Sequence, residues 1–377
     1  MDISNRKKTA QMERKSTHIP PRRVLLTGGL GFIGTKVIER IHPSEAILVV
    51  DNLHPQVHQD RRSIAGLPAR ISFVEGDVAD ERVMHEAVAF SPDVVVHLAA
   101  ETGTGQSLLE SRRHAHVNVT GTATLLDALS ASGKLPDRLI VSSSRAVYGE
   151  GRWSLRGQPE RSAQAIPRDY SRLAAGLWLP EGPNGEELEA PVPSRASCSE
   201  ARPSNVYAAT KLAQENLAAA WCLGLGVPLT VLRLQNVYGE GQAIDNPYTG
   251  VLTLMARQAL AGEQINVYEG GGIVRDFVNV TDAADAIFLA IQDTTTRDVC
   301  VDIGSGKASS LLDVAKLLSK LTGAPTPRVS NDFRAGDVRA AYADLRDAKD
   351  QLGYVPRADL GHGLAQLLSW VEKEMSR

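Results

Sequence analysis

The fold of this chain is decided near its beginning, by the stretch Arg23-Val24-Leu25-Leu26-Thr27-Gly28-Gly29-Leu30-Gly31-Phe32-Ile33-Gly34. The apolar start of this stretch predicts a short buried strand, and residues 32–41 predict a helix. Between the two, Gly28 can turn tightly, Gly31 lets the backbone approach a phosphate, and Gly34 lets the helix pack close to a sheet. A helix that begins here offers backbone N–H groups and a partial positive charge to a phosphate. The stretch therefore predicts a dinucleotide-binding strand, turn and helix.

Acidic residues follow the next two predicted strands. Asp51 comes twenty residues after the middle glycine of the turn, where a carboxylate can accept both hydroxyls of a ribose. A 2'-phosphate would be repelled there, so the sequence favours NAD over NADP, and Arg61 and Arg62 are the residues that could reverse this preference. Asp77 is placed to reach an adenine amino group. The alternative is that Asp77 or Asp80 caps the next helix, and the sequence leaves both open.

The alternation of strand and helix continues along the chain. Apolar runs predict strands over residues 23–26, 46–50, 71–74, 93–98, 138–141 and 229–233. Helical patterns lie between them, over residues 32–41, 80–90, 107–132 and 206–223. Because these strands are continuous apolar runs, they predict a parallel sheet covered on both faces, which is an α/β, doubly wound Rossmann fold.

The same pattern divides the chain into regions. Residues 1–22 predict a flexible N-terminal extension, and residues 23–235 a Rossmann domain that binds NAD. Within that domain, residues 150–202 are rich in Pro, show little periodicity and predict an insertion over the surface. Residues 236–377 predict a smaller C-terminal α/β lobe that binds substrate and is partly interwoven with the first domain.

Composition narrows the classes of function. With 377 residues, 43% of them hydrophobic, and a net charge of -3, the chain has an ordinary globular composition. That charge predicts no nucleic-acid partner, and no apolar run is long enough for a membrane span. The N-terminus does not resemble a secretory signal. Cys198, Cys222 and Cys300 are scattered, which predicts no metal site, no disulfide framework and a cytoplasmic location.

A second set of residues predicts proton and hydride chemistry. Tyr207 and Lys211 are four residues apart and lie on one face of a predicted helix. A phenol with a pKa of about 10 is a poor base, but a neighbouring ammonium lowers the pKa of the phenol. Ser144 ends the strand that begins at residue 138, at the sheet edge where ligands bind in doubly wound folds. Together with the glycine turn and Asp51, these residues predict a site for hydride transfer.

The chain resembles the NAD-dependent epimerase/dehydratase family of extended short-chain dehydrogenases, from about residue 23 to the C-terminus. The resemblance lies in residues 27–34, 50–53, 96–100, 118–122, 142–149, 207–211, 232–239, 274–278 and 334–337. Within this family, residues 51–58, 143–151 and 236–250 are typical of the dTDP-L-rhamnose 4-epimerase-like group. Relatives often carry a CxxC pair in the insertion, and this chain has none there.

The resemblance implies a role for each matching residue. The catalytic residues would be Ser144, Tyr207 and Lys211, with Asn118 orienting Lys211 through backbone or water. NAD would be held by Gly28, Gly31, Phe32, Ile33, Gly34, Asp51, Asn52, Asp77, Val78, Leu98, Ala99, Ala100, Asn118, Tyr207 and Lys211. The substrate, a nucleotide sugar, would be held by Ser144, Arg145, Asn236, Arg275, Arg334 and Asp337. A homodimer is also implied, through the predicted helix 107–132 and the helix that carries Tyr207.

The reaction is narrowed by two positions. Dehydratases of the family carry an Asp-Glu pair just after the catalytic Ser or Thr, and this chain has Arg145 and Ala146 there. The resemblance therefore implies a 4-epimerase that oxidises C4 of an NDP-(6-deoxy)hexose transiently with bound NAD. The alternatives are an NAD(P)H-dependent 4-ketoreductase and a non-catalytic dinucleotide-binding regulator. The sugar stays open, because Ala341 stands where UDP-galactose 4-epimerases have a Tyr that limits the C2 substituent, while the neighbouring Tyr342 could compensate.

Overall fold

A computed structural model describes residues 22–58, 67–244, 246 and 250–376 of the chain. The predicted N-terminal extension, apart from its last residue, lies outside the described residues. Arg61 and Arg62, the two residues that could reverse the preference for NAD, also lie outside them.

A seven-stranded sheet forms the centre of the described structure. Its strands are β1 (Arg23–Thr27), β2 (Ala46–Asp51), β3 (Ile71–Glu75), β4 (Val94–His97), β5 (Arg138–Ser144), β9 (Leu229–Leu234) and β14 (Val299–Ile303). They lie in the order β14-β9-β5-β4-β1-β2-β3, and every neighbouring pair is parallel. The strand order reverses between β1 and β4, which opens a crevice beyond their carboxyl ends. The predicted doubly wound α/β fold is confirmed.

Helices cover both faces of this sheet. They are α1 (Phe32–Arg40), α2 (Glu81–Val88), α3 (Thr104–Leu109), α4 (Ser111–Ala115), α5 (Gly121–Ala131), α6 (Tyr170–Ala174), α7 (Val206–Leu225), α8 (Val251–Leu260), α9 (Val280–Gln292), α10 (Leu311–Thr322), α11 (Arg346–Leu352) and α12 (Leu360–Met375). α1 and α9 pack together on one face of the sheet, while α2, α5 and α7 cover the other. The strands are apolar on both sides because both sides are buried, as the continuous apolar runs indicate.

The predicted single helix over residues 107–132 is wrong. The chain instead forms α3, α4, a short π-helix (His116–Thr120) and α5, with a break at Glu110, whose φ is -124° and ψ is 42°. A change of backbone angle at one residue leaves the spacing of apolar side chains almost unchanged, so periodicity could not reveal it.

The insertion has more regular structure than its sequence indicates. β6 (Arg152–Leu155), β7 (Gln158–Gln164) and β8 (Leu188–Pro191) form a three-stranded antiparallel sheet in the order β7-β6-β8. Trp153 and Leu188 are buried in a small core of this sheet, against Ala340 of the C-terminal lobe. β7 is mostly exposed and polar, so it lacks the alternation that marks a strand in sequence.

The C-terminal third of the chain contributes both to a separate lobe and to the central sheet with its covering helices. Three pairs of short strands lie beside α8, α10 and α12. The pairs are β10 (Asn236–Tyr238) with β13 (Phe277–Asn279), β11 (Asn266–Val267) with β16 (Arg328–Val329), and β12 (Val274–Arg275) with β17 (Ala340–Ala341). A further strand, β15 (Ser309–Ser310), also pairs with β12. These elements enclose a separate apolar core that includes Leu252, Leu318 and Leu367. α9 and β14, by contrast, belong to the central sheet and its covering layer.

Two absences apply to the part of the chain that the structure describes. None of its helices combines the length and the apolar character needed to cross a membrane. Nor does any group of three or more His, Cys, Asp and Glu side chains in that part come close enough together to hold a metal ion.

Candidate active site

A cavity of about 430 Å³ lies beyond the carboxyl ends of the central strands, at the reversal of strand order. The predicted site residues that line it are Gly28, Gly31, Phe32, Ile33, Gly34, Asp51, Asn52, Asp77, Val78, Leu98, Ala99, Ala100, Ser144, Arg145, Tyr207 and Asn236. Lys211 and Asn118 are buried and do not line the cavity, and neither do Arg275, Arg334 and Asp337. The fold therefore brings the two ends of the predicted site, the glycine turn and Tyr207, to one cavity.

The glycine turn has the close contacts that its sequence predicts. Gly28 has a φ of +67°, and a Cβ there would lie 2.7 Å from the backbone N of Ala99 at the end of β4. A Cβ on Gly34 would lie 2.5 Å from the carbonyl oxygen of Gly29. Only glycine fits at these two positions, so the N-terminus of α1 is open toward the cavity. This arrangement fits the pyrophosphate of a dinucleotide.

Asp51 is buried at the end of β2 and keeps some hydrogen-bonding capacity. Its Oδ2 accepts from the backbone N of Leu30 at 3.0 Å, and its Oδ1 accepts from the backbone N of Leu53 at 3.0 Å. His58 Nε2 lies 3.4 Å from Oδ1. Within the described residues, the one partner of Oδ2 is the backbone N of Leu30, so Oδ2 can accept a second hydrogen bond and the side chain can still take a ribose hydroxyl from the cavity. The Asp51 site fits the sugar of NAD.

The structure distinguishes the two roles that the sequence leaves open for Asp77 and Asp80, namely facing the cofactor and capping the next helix. Asp80 caps α2, since its carboxylate accepts from the backbone N of Arg82 at 2.9 Å. Asp77 lines the cavity and accepts from Asn52 Nδ2 at 3.0 Å and from the backbone N of Ala79 at 2.9 Å. The cap is therefore Asp80, and Asp77 is the acid that faces the cavity.

Ser144 and Tyr207 meet at the far end of the cavity. α7 begins beside it because Asn205 caps the helix, with its side chain accepting from the backbone N of Ala208 at 2.9 Å. Burial raises the pKa of Tyr207, while a hydrogen bond from Ser144 and the positive charge of Arg145 oppose that rise. The phenol therefore has two neighbours that stabilise its anion, both from the turn that follows β5.

Lys211 lies below the cavity wall, with 2% of its surface exposed. Burial lowers its pKa to about 8, and the carboxylate of Glu215 acts in the opposite direction. Its ammonium donates a short hydrogen bond to Gln214 Oε1. Within the described residues, no hydrogen bond joins Lys211 directly to Asn118, and the resemblance implies only an indirect link through backbone or water.

Asn118 supports the loop after β4 instead. Its Oδ1 accepts from the backbone N of Glu101 at 2.7 Å, and its Nδ2 donates to the carbonyl of Glu101 at 3.0 Å. The same Nδ2 donates to Thr210 Oγ1 at 2.9 Å. The π-helix that carries Asn118 turns this side chain toward the loop and toward Thr210, the residue before Lys211.

The remaining predicted substrate residues are spread around the cavity. Asn236 lines it, and its Oδ1 is buried without a hydrogen-bond partner. Arg275 is buried, with Asp337 Oδ1 3.9 Å from its Nη2. Arg334 is exposed, and its guanidinium lies over the ring of Tyr268 at 5.7 Å. The structure thus keeps Arg275 near the site and holds Arg334 at the surface.

Two polar residues of the site were not singled out in the sequence. Gln235 lines the cavity, is 4% exposed, and has an Oε1 with no hydrogen-bond partner. Gln214 is fully buried beside Lys211. The sequence holds a signal for each. Gln235 is a polar residue directly between the apolar strand β9 and Asn236. Gln214 follows Lys211 by three positions, on the same face of the helix.

Comparison with known proteins gives a consistent result. Residues 24–171 and 183–303, more than half of the chain, match the sequence profile described as the NAD dependent epimerase/dehydratase family. The chain is 42% identical over 360 residues to a dTDP-L-rhamnose 4-epimerase of Burkholderia thailandensis, covering 94% of this chain and 96% of that protein.

Solved structures agree with the sequence comparison. A UDP-glucose 4-epimerase of Thermotoga maritima with UDP-glucose superposes with a TM-score of 0.74 at 27% identity, covering 94% of this chain and 99% of that one. A UDP-glucose 4-epimerase of Thermus thermophilus in complex with NAD superposes with a TM-score of 0.71 at 25% identity, covering 93% and 99%. This chain therefore belongs to the NAD-dependent epimerase/dehydratase family.

Proposed function

We propose that the chain is a nucleotide-sugar 4-epimerase that oxidises C4 of an NDP-(6-deoxy)hexose transiently and keeps NAD bound. The observation that carries the proposal is the meeting of Ser144 and Tyr207 in the cavity that also receives the glycine turn and Asp51. The 42% identity to a dTDP-L-rhamnose 4-epimerase supports the same reaction and a dTDP-sugar as substrate.

The residues of the site divide the chemistry among them. NAD, which the glycine turn and Asp51 would hold, would supply the hydride acceptor. Tyr207 takes the proton of the C4 hydroxyl and later gives it back, acting as base and then as acid. Ser144 donates a hydrogen bond at the same oxygen as its charge changes. Lys211 stabilises the phenolate from one helical turn away.

The turn after β5 favours epimerisation over dehydration. Elimination of water needs an extra acid and base near the sugar, and the two residues after Ser144 are Arg145 and Ala146. Arg145 lines the cavity, while Ala146 is buried and carries no titratable group. With Tyr207 beside Ser144 and no Asp-Glu pair directly after Ser144, the site suits a transient oxidation that is reversed on the other face of the sugar.

The polar groups around the cavity suit a nucleotide sugar. The pKa of Arg145 is lowered to about 10, first by burial and then by the positive charge of Arg275. Two neighbouring guanidinium groups of this kind favour an anion such as a diphosphate. The unpartnered Gln235 Oε1 can accept from a sugar hydroxyl, and such an accepting group would favour a sugar with a free hydroxyl there.

The proposal is tested by incubating the purified protein, without added cofactor, with a panel of dTDP- and UDP-hexoses, and following product stereochemistry by NMR. We expect interconversion of C4 epimers, and NAD in the protein as purified. A reaction that needs added NADH or NADPH and a 4-keto sugar would replace the epimerase by the 4-ketoreductase. Binding of NAD with no turnover of any sugar in the panel would favour a non-catalytic regulator.

Replacing Arg145 with methionine is expected to lower kcat/KM for the nucleotide sugar by about 10- to 100-fold, the effect of a lost charged hydrogen bond. Because the charge of Arg145 also lowers the pKa of Tyr207, the rising arm of the pH–rate profile should move to higher pH. Arg152→Met, at an exposed arginine nearby, is the matched control. If kcat/KM and the rising arm stay at the values of the unchanged protein, Arg145 has no part in binding or in tuning Tyr207.

We also propose a homodimer formed through α3 and α7. Leu109 on α3 and Leu223 near the end of α7 are 82% and 83% exposed, and the two helices pack against each other. Large apolar side chains exposed on adjacent helices favour contact with another chain. Sedimentation should give a mass about twice 40.5 kDa.

The three free cysteines support a cytoplasmic location.

A further inference from the structure

Lys211 is held by a group that the reaction does not otherwise require. Its ammonium donates to Gln214 Oε1, and the amide of Gln214 is fully buried in α7. Gln214 Nε2 in turn donates to Thr122 Oγ1 at 2.9 Å. The NH2 group of the amide is thus used by Thr122, and the carbonyl oxygen faces the ammonium of Lys211.

The chain of hydrogen bonds continues from Thr122 to β4 and β1. Thr122 donates its hydroxyl hydrogen to the carbonyl of Asn118 at 2.6 Å, so it can only accept from His97 Nε2 at 3.0 Å. His97 therefore carries its proton on Nε2, and its Nδ1 accepts from the hydroxyl of Thr27 at 2.6 Å. Thr27 Oγ1 accepts from the backbone N of Ala99 at 3.4 Å.

This assignment leaves one orientation for every group in the series. All of its side chains are buried, and these donor and acceptor roles correspond to a neutral His97 whose Nδ1 accepts from Thr27. Burial and the charge of Lys211 lower the pKa of His97 to about 3, which agrees with a neutral ring. The series therefore joins the ammonium of Lys211 to the residue that precedes Gly28.

We propose that Gln214 is the positioning residue of Lys211, and that Thr122, His97 and Thr27 hold Gln214 in the orientation that presents its carbonyl oxygen to the ammonium. In this chain, Gln214 makes the direct contact with Lys211 that Asn118 does not make. The inference rests on the proposed function, since it concerns the same catalytic set.

The other charged groups near the Lys211 ammonium each have a partner or a role of their own. From its own helix, Glu215 faces Lys211, but that carboxylate is also paired with Arg233 of β9 through contacts of 3.0 Å and 2.7 Å. His97 of β4 is neutral, and Arg145 from the turn after β5 faces Tyr207. Gln214 is thus the group whose removal changes the hydrogen bonding of the ammonium without changing the number of charges near it.

The test compares Gln214→Met, which removes the acceptor at similar volume, with Gln214→Glu, which replaces it by a carboxylate. Loss of the acceptor disfavours the ammonium, so the arm of the kcat–pH profile that reports Lys211 should move down by about one pH unit in the Met variant. A carboxylate favours the ammonium, so the arm should move up in the Glu variant. Thr122→Val, which frees the amide of Gln214, should move the arm in the direction of the Met variant.

A second measurement does not depend on turnover. Calorimetric titration with NAD, after the NAD bound during purification has been removed, should show about fivefold weaker binding in Gln214→Met because Lys211 is no longer fixed. Gln258→Met on α8, away from the cavity, is the matched control and should change neither measurement.

Opposite shifts of the arm that reports Lys211 support the proposal, and a uniform loss of kcat with that arm unmoved overturns it. If the unchanged protein epimerises no sugar, the proposed function fails, and NAD binding alone decides the role of Gln214. Equal NAD affinity in the Met variant and the unchanged protein would then overturn it. Should the Met variant not fold, Gln214→Glu and Thr122→Val carry the same test.

Discussion

Replacing Tyr207 with phenylalanine is expected to lower kcat by about a thousandfold and to leave the fold and NAD binding unchanged. The substitution removes one hydroxyl, the group that meets Ser144 in the cavity, and keeps the ring that lines the wall. Without this hydroxyl, the cavity loses the group that we propose takes the C4 proton. The measurement is C4 interconversion by NMR, with NAD content determined on the same preparation.

The pH–rate profile makes this prediction more specific. Burial raises the pKa of Tyr207, and the base is the deprotonated phenol, so the rate of the unchanged protein should rise with pH. The residual rate of Tyr207→Phe should lack that rising arm. Tyr170→Phe is the matched control, since Tyr170 is 71% exposed on the insertion and lies 5.3 Å from the ring of Phe333. A Tyr207→Phe protein that keeps a tenth of the activity would remove Tyr207 from the mechanism.

Replacing Arg168 with methionine is expected to lower the free energy of unfolding by about 3 to 5 kcal/mol. The side chain of Arg168 is 1% exposed and holds two buried carboxylates, with Nε 2.7 Å from Glu150 Oε1 and Nη1 2.7 Å from Glu269 Oε2. It also donates to the carbonyls of Trp178 and Asp337, at 3.1 Å and 2.9 Å. The change leaves both carboxylates without this partner, and Arg339, 3.2 Å from Glu269, compensates for only one of them.

The effect should depend on pH in a defined direction. Burial already raises the pKa of Glu150, and loss of Arg168 removes the charge that opposes the rise. A carboxyl whose pKa is raised in the folded protein destabilises it increasingly as pH rises from the unfolded pKa to the folded one. The difference in unfolding free energy between Arg168→Met and the unchanged protein should therefore be larger at about pH 8 than at about pH 5.

Unfolding in urea measures both quantities. Arg156→Met is the matched control, because Arg156 and Glu187 form an ion pair of 2.9 Å with 58% and 69% of their side chains exposed. That exposed pair should contribute less than about 1 kcal/mol. Arg168 and Glu150 belong to the insertion, and Glu269 belongs to the C-terminal lobe. If Arg168→Met unfolds at the same urea concentration as this control, these buried ion pairs do not stabilise the contact between the insertion and the lobe.

The sequence by itself determined the cofactor half of the protein. The glycine turn, the strand before it and Asp51 lie within one continuous unit of chain, so local spacing is enough to predict where they meet. The continuous apolar strands determined the parallel, doubly wound sheet, because burial of both faces leaves no polar positions along a strand. The pairing of Ser144 with Tyr207 was inferred from chain order and family resemblance.

Only the tertiary structure decided which polar groups meet across the fold. The contact of Lys211 with Gln214, the unpartnered oxygen of Gln235, and the burial of Arg168 between Glu150 and Glu269 have no signal in local periodicity. Neither do the break at Glu110 or the three-stranded sheet of the insertion. Periodicity reports which face of an element is apolar, whereas these features depend on the positions in space at which separate strands and loops end.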